Sequence, residues 1–311
     1  MEGAMNRRDA MALVVSAAVF ARSSLARESG DLMFVDSGDV RIATQTFGVP
    51  EGTPLLLIMG ATASMVGWPD ELCSTLAEQG FFVIRFDHRD TGCSTTVPPG
   101  EATYAIEDMA TDVLAVMESY GLPAAHLAGM SLGGYISQML ALSHPERIHS
   151  VTLIGSEPLG WDGAPLPTIS DDFLRHFAGF GELDWQDRRT VSRFLVEIDR
   201  LCSGTANTFD AEAALARVEK VLDRTESPAS MFNHSSRTTR ENWAGRFREI
   251  SCPVFVLHGS EDPILPVENG RALAEGIPGA ELAILEGVGH ELPRSHHREI
   301  ADRMIRFALA R

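Results

Sequence analysis

Gly129-Met130-Ser131-Leu132-Gly133 sets a serine between two glycines, after a short apolar run and ahead of a helical pattern. A serine at a strained strand-to-helix corner needs small neighbours, and its hydroxyl then projects from the strand's end. That hydroxyl is a poor nucleophile at neutral pH and needs a base beside it. Of ten histidines, His290 has the best placement, in Gly287-Val288-Gly289-His290-Glu291 just after the last apolar run. A carboxylate should fix its tautomer and stabilise the imidazolium that forms. Asp262 stands at the end of the preceding run, in His258-Gly259-Ser260-Glu261-Asp262-Pro263, with Glu261 as its rival. The chain order is Ser131, Asp262, His290, and the chemistry is acyl transfer.

An acyl oxyanion needs two donors already aimed at it. One is the N–H of Leu132. The other is expected from the turn Met59-Gly60-Ala61-Thr62, where the Ala61 N–H is the candidate and the Thr62 hydroxyl could assist. His258 reads as packing, and His296 and His297 as solvated. His88, His126, His144, His149, His176 and His234 carry no motif. His290-Glu291 is no zinc pair, because Arg294 stands where the second histidine would be needed.

The elements that must position these groups follow from hydrophobic patterning. Residues 31–35 and 40–47 read as an opening hairpin with Ser37-Gly38-Asp39 as its turn. Short apolar runs follow at 54–59, 81–86, 126–130, 151–154, 253–257 and 282–285, as a sheet buried on both faces requires. Helical patterns fall between them at 69–80, 104–120, 132–143, 267–276 and 299–309. Alternating strands and helices predict an α/β fold, a doubly wound, mostly parallel sheet. The alternation stops between 155 and about 247, where helical segments at 170–180, 190–201 and 210–222 predict a helical lid inserted between sheet strands. The expected organisation is a core of 27–155 and 248–311 with a lid of 156–247. Trp161, Phe173, Phe177, Phe180, Trp185, Phe194 and Trp243 make that lid aromatic. The candidate substrate contacts are Thr62, Met130, Trp161 and Trp185, for a moderately hydrophobic small molecule.

The chain has 311 residues, 44% hydrophobic and 22% charged, a globular balance that excludes disordered and low-complexity classes. Its net charge of −17 repels phosphate backbones, so no nucleic-acid partner is expected. No apolar run reaches the ~18 residues of a membrane span. Phosphate-loop, dinucleotide and zinc motifs are absent, so neither cofactor nor metal is expected. Met5-Asn6-Arg7-Arg8-Asp9, the apolar run 11–21 and the small residues of Ser24-Leu25-Ala26 read as an export signal over 1–26. The paired arginines fit a twin-arginine route to the periplasm or medium, with a cytoplasmic protein as the alternative. Cys73, Cys93, Cys202 and Cys252 form no disulfide framework and are expected as free thiols.

Taken together, these residues resemble the α/β-hydrolase superfamily from about Asp31 to the C-terminus. Leu57-Ile58-Met59-Gly60, Gly67-Trp68-Pro69-Asp70 and Phe86-Asp87-His88-Arg89-Asp90-Thr91-Gly92-Cys93-Ser94 are similar to the aclacinomycin methylesterase subgroup. The resemblance implies a cofactor-independent serine hydrolase acting on a carboxylic ester, such as a methyl ester or lactone. Alternatives on the same triad are carbon–carbon bond hydrolysis and cofactor-free perhydrolysis. A non-catalytic ligand-binding protein of the same fold is a further one. The Asp87–Ser94 run reads as a structural loop that buttresses the site.

Overall fold

The computed structural model describes residues 30–310, so the segment read as an export signal lies outside the described residues. Eight strands form one sheet in the order β1-β2-β4-β3-β5-β6-β7-β8. They are β1 (Met33–Ser37), β2 (Val40–Phe47), β3 (Thr53–Ile58), β4 (Phe81–Phe86), β5 (Ala125–Met130), β6 (Ile148–Ile154), β7 (Val254–Gly259) and β8 (Glu281–Leu285). The β1–β2 hairpin joins antiparallel through β2 to β4, and every pair from β4 to β8 is parallel. A parallel sheet puts all its strand ends of one kind on one edge, and Ser131 follows the carboxyl end of β5 there.

Successive residues of a strand face opposite sides of the sheet. Leu56 and Ile58 of β3 enter one core cluster, while Leu55 and Leu57 enter the other. The first cluster is covered by α2 (Ile106–Ser119), α3 (Leu132–Ser143) and α7 (Glu268–Gly276), through Val113, Ile136 and Leu273. The second is covered by α1 (Asp70–Glu78) and α8 (His297–Leu309), through Leu72, Leu76 and Met304. Arg85 is the charged exception in β4. Its buried guanidinium donates to Gln45 Oε1, Asp70 Oδ1 and the Trp68 carbonyl, which offsets its desolvation.

Between β6 and β7 the described chain forms helices only: α4 (Asp171–Phe177), α5 (Arg188–Cys202), α6 (Ala211–Leu222) and three short 3-10 segments, of which Pro228–Ser236 matters most. Ser170, Asp187 and Asp210 cap the three α-helices with side-chain oxygens. The insertion has a small core of its own, in which Val191, Phe194, Leu195, Val218 and Phe232 meet Phe177, Phe180 and Trp185. All four cysteines are free thiols. No helix of the described residues is long and apolar enough to cross a membrane.

Candidate active site

Ser131 links β5 to α3 with φ 52 and ψ −119, a strained positive-φ conformation that a serine adopts only where its surroundings enforce it. The flanking glycines have a steric reason. A Cβ on Gly133 would lie 2.1 Å from the Ile58 carbonyl oxygen, and one on Gly129 would lie 2.2 Å from that of Gly133. The corner is held by Ser131 N–H donating to Ile154 O (2.9 Å) and by Ser156 Oγ donating to Ser131 O (2.9 Å).

His290 and Asp262 form a direct pair. Nδ1 lies 2.7 Å from Asp262 Oδ2, while Oδ1 accepts from Ile264 N and Leu265 N at 2.9 and 2.8 Å. Burial opposes ionisation of Asp262, but His290, His258 and the Leu265 N–H outweigh it and hold the carboxyl well below the usual range. An ionised Asp262 can only accept. His290 therefore carries its proton on Nδ1 and leaves Nε2 as a base. Gly155 fits between the components: a Cβ there would stand 3.2 Å from Asp262 Oδ2 and 3.3 Å from His290 Nδ1, and its neighbour Ile154 binds Ser131 N. Ser131 Oγ itself makes no hydrogen bond to His290 among the described residues. Glu261, the rival carboxylate, faces elsewhere and accepts from Thr205 N and Oγ1 at 2.8 and 2.6 Å.

The Met59–Thr62 turn packs on the elbow, for a Cβ on Gly60 would lie 3.1 Å from Ser131 Cβ. Leu132 N–H belongs to the first turn of α3, where no intrahelical acceptor exists. Ala61 N–H takes no partner among the described residues, whereas Thr62 N–H donates to His234 Nδ1 (3.1 Å). Thr62 has φ 63. His234 Nε2 lies 2.8 Å from Arg89 O, and His88 Nε2 lies 2.8 Å from Met59 O. Burial, reinforced by His88, pushes His234 down to about 3, and burial likewise lowers His88, so both rings are neutral. Neither histidine carries a motif. His88 had one signal, its place in the Asp87–Ser94 run; His234 had none.

That run forms the floor behind the turn. Asp87 accepts from Ser64 Oγ, Met65 N, Cys93 N and Arg224, and Arg89 grips Asp112 with two 2.7 Å bonds.

Three residues read as substrate contacts have the following surroundings. Trp161 packs against Phe247 with Nε1 donating to Ala164 O, on the α2–α3 side of the sheet. Trp185 meets Phe180 edge-on and Phe232 at a tilt, against the insertion's own core. The Met130 side chain is buried in the cluster beneath His290. Met130 is buried, whereas Trp161 and Trp185 are half-buried. His297, read as solvated, is buried, with Nε2 at 3.0 Å from Leu292 O. Among the described residues no cluster of three or more His, Cys, Asp or Glu is arranged to hold a metal ion.

The chain is 33% identical over 282 residues to rhodomycin D methylesterase DauP of Streptomyces sp. (strain C5), covering 86% of this chain and 94% of that protein. Its fold is similar to that of a bromoperoxidase from Bacillus anthracis (TM-score 0.73, 21% identity, 89% and 99% coverage). It is also similar to that of the esterase RhEst1 from Rhodococcus sp. ECU1013 (TM-score 0.70, 23% identity, 88% and 98% coverage). Residues 53–293 match the family described by the alpha/beta hydrolase fold, and the chain belongs to that family.

Proposed function

We propose that the protein is a serine hydrolase that cleaves a carboxylic ester of a moderately hydrophobic small molecule through an acyl-enzyme. The observation that carries this reading is the Asp262–His290 pair packed on Gly155, together with a serine in a strained positive-φ corner that is bonded to the adjoining Ile154. Ser131 Oγ attacks the ester carbonyl carbon as its proton passes to His290 Nε2. The oxyanion rests on Leu132 N–H and Ala61 N–H. Collapse breaks the bond to the leaving alcohol, which takes the proton from His290. Water then attacks the acyl-enzyme by the same route and releases the acid. The similarity to a methylesterase supports a methyl or other small alkyl ester.

The helical insertion acts as a lid that supplies the leaving-group wall. The order of basic, apolar and small residues in 1–26 supports export, which cell fractionation of the full chain tests. The reaction is tested with a panel of p-nitrophenyl and methyl esters, using the wild-type chain and Ser131→Ala. Turnover that vanishes in the variant supports the reading. Equal turnover by both overturns it.

A further inference from the structure

We propose that His234, contributed by the helical insertion, is a positioning residue for the oxyanion turn, so that the hole is complete only with the insertion docked. The inference rests on the serine-hydrolase reading above. Its basis is the way the Met59–Thr62 turn is held. Met59 O accepts from the core residue His88, and Thr62 N–H donates to His234 Nδ1. The two rings stand perpendicular, 5.8 Å apart. The turn is thus gripped at both ends by imidazoles, and Ala61 N–H between them stays free. Thr62 occupies the left-handed region without being glycine, and such a residue persists only when its neighbours over-determine it.

Both ring nitrogens of His234 are committed in opposite senses. Nε2–H donates to Arg89 O, which leaves Nδ1 bare to accept from Thr62. A packing residue has no need of that arrangement. The residues beside it fix the ring from the insertion side: Asn233 Nδ2 donates to Asp90 Oδ2 (3.0 Å), Asn233 Oδ1 accepts from Gly100 N (2.8 Å), and Ser230 Oγ donates to Val97 O (2.6 Å). Ser230, Asn233 and His234 are buried and bonded to core residues, so a shift of the insertion moves the acceptor on which Thr62 depends.

The test uses the full chain with His234→Ala, His234→Asn and His234→Gln. Asparagine places its carbonyl oxygen near the position of Nδ1 and keeps the bond to Thr62. Glutamine reaches the Nε2 position and keeps only the Arg89 side. Two readouts are taken, steady-state hydrolysis of a p-nitrophenyl ester and inhibition by a trifluoromethyl ketone. Ser131 Oγ adds to the ketone carbonyl with its proton passing to His290, and the resulting hemiketal oxyanion fills the same hole. In the alanine and glutamine variants kcat and ketone affinity should each fall about 10–100-fold, with KM changed less than about threefold. The asparagine variant should recover most of the loss. Thermal melts identify any variant that fails to fold, and the asparagine–glutamine contrast remains if alanine does. Full kcat and ketone affinity in the alanine and glutamine variants, or equal impairment of asparagine and glutamine, overturns the proposal. Wild-type turnover unaffected by Ser131→Ala would instead overturn the serine reading itself, and this inference with it.

Discussion

The sheet edge and the helical insertion furnish the site in different ways. Each proposed catalytic side chain follows a strand: Ser131 after β5, Asp262 after β7 and His290 after β8. Their placement is set by a rigid parallel sheet whose strand ends line up by construction. The insertion reaches the site through His234 in a 3-10 segment, over a sequence separation of 172 residues. Its aromatics mostly serve its own core. The edge should therefore govern the chemical step, and the insertion the shape and alignment around it.

The largest effects should fall on the edge. Ser131→Ala and His290→Ala are each expected to lower kcat/KM by about 10⁴-fold or more, measured on the best ester of the panel. A loss as small as tenfold would remove the nucleophile assignment.

Next come the paired carboxylates. Asp262→Asn should cost about 10³–10⁴ in kcat, because the amide disfavours the tautomer with a bare Nε2. Glu261→Gln, which touches only Thr205, should cost less than about tenfold. Reversal of that ranking would break the assignment of the orienting acid.

Gly155→Ala probes the space between the components. Its φ of 48 already disfavours a side chain, and the added Cβ presses on Asp262 and His290. A fall of about 10–100-fold in kcat is expected, together with a stability loss of about 1–2 kcal/mol in denaturant unfolding.

Where the insertion meets the core, the readout is stability against pH. The folded values of His88 and His234 lie below the ordinary imidazole value, so the unfolded chain binds more protons in acid. Stability from these rings is fully present above about pH 6.5 and is lost as pH falls from there, for His234 toward about 3, by up to ~1.4 kcal/mol per pH unit for each ring that takes up a proton only on unfolding. The depressed Asp262 adds a further loss at lower pH. Melting temperatures across pH 7 to 5 should fall steadily; a flat profile would contradict neutral buried rings. The smallest effect is expected from Trp161→Ala. It should destabilise by about 1–2 kcal/mol through lost packing on Phe247, with kcat and KM nearly unchanged. A large KM change would return Trp161 to the substrate wall.

The strands were legible because each is an apolar run bounded by turn residues, and every expected one lies within a few residues of its place. The elbow was legible because the glycines flanking Ser131 answer a steric demand visible in the sequence. The packing partners of Trp161 and Trp185 were not legible, because composition marks an aromatic as apolar without saying which cluster it meets. His297 misled: it adjoins a solvated histidine in sequence but turns inward at the start of α8. His234 was invisible because nothing local distinguishes a histidine that clamps a turn from one that does not. Its meaning lies in contacts with Thr62 and Arg89, which only the fold brings within reach.

The central claim is a covalent acyl intermediate on Ser131. The most direct measurement is rapid acid quench of the enzyme with a p-nitrophenyl ester, followed by mass spectrometry of the peptide that contains Ser131. The predicted result is a transient mass increase equal to the acyl group on that peptide, absent in Ser131→Ala, with a matching burst of p-nitrophenolate. Steady turnover without burst or adduct, undiminished in Ser131→Ala, would contradict it.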